Sequence, residues 1–368
     1  MKKLEKIMLT LAVMIPWTLG AQNEKPEVTT PATDSHIEYI GRTLITDEGV
    51  SFDYSGTYIR IRFEGKSLAI RCSDTKGDWF NVWTDREMDA EEDARFKVSS
   101  RDTVIVVAEK LRKGRHEVLI QKRTEGEQGT FTLHEVITEK PLLQAKGQKK
   151  RHIEFIGDSY TCGYGTEASH KDTWCPETEN CALTYAAIVS RFFDADYNLV
   201  SHSGRGVVRN YNDGDEGNNM PDRYKYTFDE SREHLWMAKA ASYEPDIAVI
   251  YLGTNVFSCG KKPSRADFCK RYTELLHLIK DNYGKKFPII CMSPKWDDQI
   301  YEYIRHAVQS SGLKNVAYMG VTQYVHNETS EHGADGHPNY QGHRKIASVL
   351  IPYISTMTGW KMEEKPIR

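Results

Sequence analysis

Six residues in the second half of the chain could between them carry out acyl transfer: Ser159, Gly204, Gly206, Asn255, Asp335 and His337. Ser159 closes Gly157-Asp158-Ser159, where the apolar run Ile153–Ile156 ends and a turn containing Gly163-Tyr164-Gly165 begins. A serine hydroxyl is a weak nucleophile until a base takes its proton. His337, in Gly336-His337-Pro338, titrates near neutrality and is the natural base. When serine attacks an ester carbonyl, the developing oxyanion must meet preorganised donors. The Ser159 N–H, an N–H in the Gly204/Gly206 turn and the Asn255 amide would supply three. Glycine suits the second because it lets backbone approach closely. Asp335, two residues before His337, could orient the imidazole.

Each residue also has a plainer reading. Ser159 could cap a helix, and Asn255 could complete a turn. Asp158 reads as bonding within its own turn, while Arg205, Arg209 and Asn210 read as braces for their loop. His332 and His343 rival His337, but His343 falls inside the last helix and reads as structural.

The elements that must position these residues alternate. Strand-like runs cover 153–156, 197–201, 246–252, 287–292 and 316–319. Helix-like runs cover 183–193, 232–241, 265–281, 299–310 and 340–356. This pattern predicts a three-layer α/β/α domain over 152–368 with a parallel five-stranded sheet. Such sheets bind ligands at the carboxyl edge, where three of the four blocks lie. The GxSxG elbow is absent around Ser159.

From 36 to 144 the period is two, as in Tyr58-Ile59-Arg60-Ile61-Arg62-Phe63, with glycines between the runs. That predicts an all-β sandwich of jelly-roll type. Trp79 and Trp83 read as its core, and the acidic stretch 87–93 as a solvated loop. Residues 22–35 read as a flexible lead-in and 145–151 as a basic, solvated linker.

A length of 368 residues favours two domains. Hydrophobic residues at 39% and charged residues at 27% exclude a disordered chain. A formal net charge of −3 gives no reason to expect nucleic acid or an anionic membrane as partner. Lys2, Lys3 and Lys6, the apolar run from Ile7 to Leu19, and Gly20-Ala21 read as a signal peptide over 1–21. A periplasmic or secreted protein is therefore expected. The first cysteine after that signal is Cys72, so no lipid anchor is expected.

Seven cysteines suggest disulfides between Cys175 and Cys181 and between Cys259 and Cys269. Cys72 and Cys291 read as buried, and Cys162 as packed under its turn. No CxxC spacing of a zinc site occurs, and neither metal nor cofactor is expected. The oligomeric state is not legible.

The four blocks Gly157-Asp158-Ser159, Gly204 with Gly206, Gly253-Thr254-Asn255, and Asp335 with His337 resemble the SGNH hydrolases, or GDSL family, over about 153–356. That family often has aspartate where Val256 stands. It usually places the acid three residues before the histidine, where this chain has Ala334.

With the β-rich front half, Gly163-Tyr164-Gly165 and Gly204-Arg205-Gly206, nearly the whole mature chain resembles carbohydrate esterase family 2. The resemblance implies a jelly roll joined to an SGNH domain. It implies a serine esterase removing O-acetyl groups from xylan or glucomannan through acyl-Ser159. It also implies that a Ser–His dyad can suffice, a backbone carbonyl in place of Asp335 orienting His337, and that Trp296 contacts glycan. Other SGNH activities are the alternatives (peptidoglycan O-acetylesterase, arylesterase, thioesterase), as is a non-catalytic glycan-binding protein.

Overall fold

The computed structural model describes residues 27–213, 217–241, 243–294, 298–320 and 328–368. The expected signal peptide lies outside them. Eleven strands form the front half. The first six are β1 (Val28–Pro31), β2 (Glu38–Ile40), β3 (Leu44–Thr46), β4 (Gly49–Phe52), β5 (Tyr58–Gly65) and β6 (Leu68–Asp74). Then come β7 (Asp78–Thr84), β8 (Ala94–Val98), β9 (Thr103–Ala108), β10 (Gly114–Lys122) and β11 (Phe131–Thr138). One sheet runs β3-β4-β11-β6-β9, with β1 also on β11; the other runs β2-β5-β10-β7-β8. All their pairings are antiparallel.

The period-two pattern sets this sandwich. On β6, Leu68, Ile70 and Cys72 are buried while Ala69, Arg71 and Ser73 are not, so one face of the strand meets Ile59, Ile61 and Phe80 of the opposite sheet. Part of the expected lead-in is ordered, because Val28–Pro31 pairs with Glu135–Thr138. Pro31, which lacks an N–H, stands at the end of that strand. Trp83 is fully buried, as expected. Trp79 is not core: it is half-buried, with Arg95 and Lys97 each 5.9 Å from its ring centroid.

The back half holds β12 (His152–Gly157), β13 (Asp196–Ser201), β14 (Ile247–Tyr251), β15 (Ile289–Met292) and β16 (Val316–Met319), all parallel, in the order β13-β12-β14-β15-β16. Its helices are α1 (Ser159–Cys162), α2 (Tyr185–Phe193), α3 (Met220–Arg223), α4 (Arg265–Tyr283), α5 (Asp298–Ser310) and α6 (Tyr340–Thr358). Along β12, Ile153 and Phe155 face the α2/α6 layer and Ile156 the α4/α5 layer. This burial on both faces explains the continuous apolar runs. Chain order reverses at β12, so its carboxyl end is the topological switch point where such sheets bind ligands.

The helix expected over 232–241 does not form. Thr227 N–H donates to the His234 carbonyl (2.8 Å) and Trp236 N–H to that of Lys225 (2.7 Å). The segment therefore pairs as a ribbon with 225–227, and only a short 3₁₀ turn, Ala238–Ala240, follows. The 145–151 stretch lies at the surface, but it is tethered to both halves of the molecule. The Gly147 carbonyl accepts from Arg60 (3.0 Å), and Lys149 N–H donates to Asp196 (2.7 Å).

Neither expected disulfide forms; all seven thiols are free. Cys181 points inward to the Lys122 carbonyl while Cys175 lies against Thr178. Cys259 faces Asn212 and Cys269 the Tyr303 carbonyl. Cys72, Cys162 and Cys291 are buried, as expected. Among the described residues no helix is long and apolar enough to cross a membrane.

Candidate active site

Ser159 sits at the carboxyl end of β12 as the first residue of α1, and is 4% exposed. Asp158 caps that helix, its carboxylate accepting from Tyr160 N–H (3.3 Å). Burial raises the Asp158 pKa to about 7, against the opposing pull of the Tyr160 N–H and the Thr254 hydroxyl. His337 is brought to Ser159 by the loop ahead of α6, where Asn339 caps the helix by accepting from the Gln341 and Gly342 N–H groups (3.0 and 3.2 Å). The resulting distance is decisive: His337 Nε2 lies 2.8 Å from Ser159 Oγ.

The His337 ring is covered by Tyr164, centroid to centroid 4.2 Å, and Tyr164 stacks in turn on Trp174 at 5.3 Å. Burial lowers the His337 pKa to about 4, although the Ala334 and Asp335 backbone and the Asp335 charge oppose that shift. A neutral imidazole able to accept a proton is therefore the resting form at neutral pH.

Asp335 is beside the site but aimed elsewhere. Its carboxylate accepts from the Tyr164 hydroxyl and from Trp174 N–H, both at 3.1 Å. His337 Nδ1 is buried and makes no well-aligned hydrogen bond among the described residues. The backbone of the tight turn 334–336, with Asp335 at φ +50°, lies behind it.

Asn255 faces the same cavity, its amide donating to the Arg205 carbonyl (3.1 Å) and the Asp158 carboxylate (3.3 Å). The structure separates the two candidate glycines. Gly206 N–H donates to Asn210 Oδ1 (3.0 Å), so it is already engaged. Gly204, at φ +77°, lines the cavity, and among the described residues its N–H meets no acceptor. Arg205, Arg209 and Asn210 brace the loop as expected: Arg205 pairs with Asp229 (2.8 Å), and Arg209 holds the Val256 carbonyl (2.9 Å).

His343 is buried in α6 and accepts from Tyr185 N–H (3.2 Å), a structural role. His332 bridges to Pro338 and does not line the cavity. Trp296 lies outside the described residues. The cavity, of about 710 Å³, also includes Tyr160, Tyr164 and Tyr211, of which the last is 60% exposed. The Gly163-Tyr164-Gly165 stretch reads in sequence only as a turn, so the ring over His337 was missed; Tyr211 carried no signal at all.

Ser159, His337, Asn255 and an unengaged glycine N–H thus converge on one cavity at the switch point of a parallel sheet, under a two-sheet sandwich. A model described as carbohydrate esterase 2 N-terminal matches residues 39–145, and one of the GDSL-like lipase/acylhydrolase family matches residues 155–345. The chain belongs to carbohydrate esterase family 2.

Relatives of this esterase agree. It is 27% identical over 345 residues to an acetylxylan esterase/glucomannan deacetylase of Cellvibrio japonicus, covering 90% of this chain and 92% of that one. It is 30% identical over 340 residues to a cellulase/esterase of Acetivibrio thermocellus, covering 90% of this chain but only 41% of that longer protein. A family two carbohydrate esterase from Clostridium thermocellum, solved in complex with cellohexaose, superposes with a TM-score of 0.79 at 29% identity. That match covers 88% of this chain and 100% of the other.

Proposed function

We propose that this esterase removes O-acetyl groups from a plant polysaccharide of the xylan or glucomannan type. The observation that carries the reading is the 2.8 Å contact between His337 Nε2 and Ser159 Oγ inside an open cavity. Ser159 Oγ bonds to the acetyl carbonyl carbon as its proton passes to Nε2, and the carbonyl electron pair moves onto oxygen. That oxygen is held by the N–H groups of Ser159 and Gly204 and by the Asn255 amide, which gives up its longer bond to Asp158 (3.3 Å) to reach it. Collapse breaks the bond to the sugar oxygen, which leaves with the proton from His337. Water then repeats the sequence on acetyl-Ser159, releasing acetate.

His337 works with Ser159 as a dyad, the backbone of 334–336 standing where a triad acid would. Asp335 instead holds Tyr164 against the imidazole and Trp174 behind Tyr164. The carbohydrate substrate is supported by the Cellvibrio japonicus relative, an acetylxylan esterase/glucomannan deacetylase by name, and by the cellohexaose held by the Clostridium thermocellum esterase. Export through residues 1–21 is part of the same proposal, since such polymers lie outside the cell.

Acetate release from acetylated xylan, acetylated glucomannan and 4-nitrophenyl acetate tests the reading. Turnover of at least one polysaccharide is expected. Hydrolysis of the small ester alone would transfer the reading to another esterase substrate.

A further inference from the structure

We propose that Glu125, contributed by the β-sandwich, is a positioning residue for this esterase, setting the loop that presents the Gly204 N–H. This rests on the reading of Gly204 as an oxyanion donor. Glu125 lies between β10 and a 3₁₀ turn, Gly126–Gln128, and is 1% exposed. Its backbone is tied on both sides: its N–H donates to Glu179 Oε1 (2.7 Å), and its carbonyl accepts from Lys122 Nζ (3.1 Å).

From this fixed base one oxygen, Oε2, accepts the Ser203 N–H at 2.6 Å and faces Cys162 Sγ at 3.5 Å. Ser203 immediately precedes Gly204, and Cys162 ends α1, the helix that Ser159 begins. A single carboxylate from the other half of the molecule therefore spaces the nucleophile's helix from the oxyanion loop. Within its own domain the loop is also tied by His202 N–H to the Gly157 carbonyl (3.4 Å) and by Asn255, whose amide joins the Arg205 carbonyl to Asp158, the cap of α1.

A second tie supports the same loop. His202 Nδ1 bonds Asp229 (2.5 Å), Arg205 bonds the other oxygen of Asp229 (2.8 Å), and Asp53 of the sandwich accepts from the Asp229 and Glu230 N–H groups (2.9 and 3.0 Å). Ligand atoms of His202, Asp229 and Glu230 lie within 4.8 Å of one another. With Arg205 already on Asp229, the cluster works as a charge-paired clamp. Both ties begin in the sandwich, so the catalytic loop is held from outside its own sheet as well as from within it.

The test compares Glu125→Met, which fills the volume without an acceptor, with Glu125→Gln, which keeps one. On 4-nitrophenyl acetate the Met variant should lose about 10–100-fold in kcat, up to the loss of an oxyanion donor outright. KM should stay within about threefold, because the displaced donor acts in the transition state. Gln should recover most of the loss. A Met variant within about twofold of wild type in kcat, or Gln as slow as Met, would overturn the proposal.

If the Met variant shows no cooperative melting, amide exchange in the wild-type protein decides. Ser203 N–H should exchange as slowly as the β12 amides, and exchange at the rate of an unbonded loop amide would overturn the assignment. Ser159→Ala separates the two levels. An active Ser159→Ala would defeat the functional reading and this inference together; an inactive one beside an undiminished Glu125→Met would defeat this inference alone.

Discussion

His337 must be neutral to accept the Ser159 proton, and its surroundings keep it so. With burial lowering its pKa to about 4, the base is competent well below the range of an ordinary histidine. Activity rises as the imidazole loses its proton, so the acid limb of kcat/KM should lie near pH 4, with a plateau through neutrality. A pH profile on 4-nitrophenyl acetate checks this; a limb at the usual histidine pKa would mean the ring is more solvated in the working enzyme. Asp335 makes a second prediction. Its carboxylate bonds Tyr164 and Trp174, not the imidazole, so Asp335→Ala should lower kcat only a few-fold, against about 10⁴ when a true triad acid is disabled. For Asn255→Ala the expected fall in kcat is about 10²–10³ with little change in KM.

The clamp on the oxyanion loop is where an element's stability acquires a pH dependence. Burial would lower the His202 pKa, but the Asp229 carboxylate outweighs it and raises the value to about 9. A raised histidine pKa contributes stability that is full below the unfolded value and is lost as pH rises through the folded one. Melting temperature should therefore decline from about pH 6.5 to pH 9 in wild type, and decline less in His202→Gln. Parallel melting curves for the two proteins across that range would remove the clamp from the account.

These elements were unevenly legible. Strands β12 to β15 show in sequence because burial on both faces makes nearly continuous apolar runs, and α4, α5 and α6 show because their apolar positions recur at helical spacing. Residues 232–241 mislead because Leu235, Met237, Ala238, Ala240 and Ala241 are good helix formers, while the backbone at 234–236 pairs with 225–227. The Ser159–His337 pair was visible as motif, whereas the Glu125 contact joins residues 78 positions apart with no local pattern to mark it.

Across the whole molecule the two halves meet through buried polar groups. Arg42 of the sandwich reaches Glu154 on β12 at 3.4 Å and the Tyr224 and Tyr226 carbonyls at 2.5 and 2.8 Å. Glu154 also accepts from Tyr224 (2.7 Å), Tyr283 (3.1 Å) and Asn198 (3.2 Å). A glutamate inside an apolar strand reads in sequence as an interruption; in the fold it is the anchor for the sandwich. Removing Arg42 leaves that charge buried without its cation, so Arg42→Ala should cost about 3–5 kcal/mol in urea unfolding. An unfolding midpoint unchanged from wild type would show that the junction does not depend on this pair.

The central claim is that Ser159, activated by His337, is the nucleophile. Labelling with an alkyl fluorophosphonate followed by peptide mapping tests it most directly, since the reagent bonds to an activated serine oxygen and then stays. One label per chain is expected, on Ser159, absent from Ser159→Ala and strongly slowed in His337→Ala. Full labelling of Ser159→Ala, or a label on any other residue accompanied by loss of esterase activity, would contradict the account.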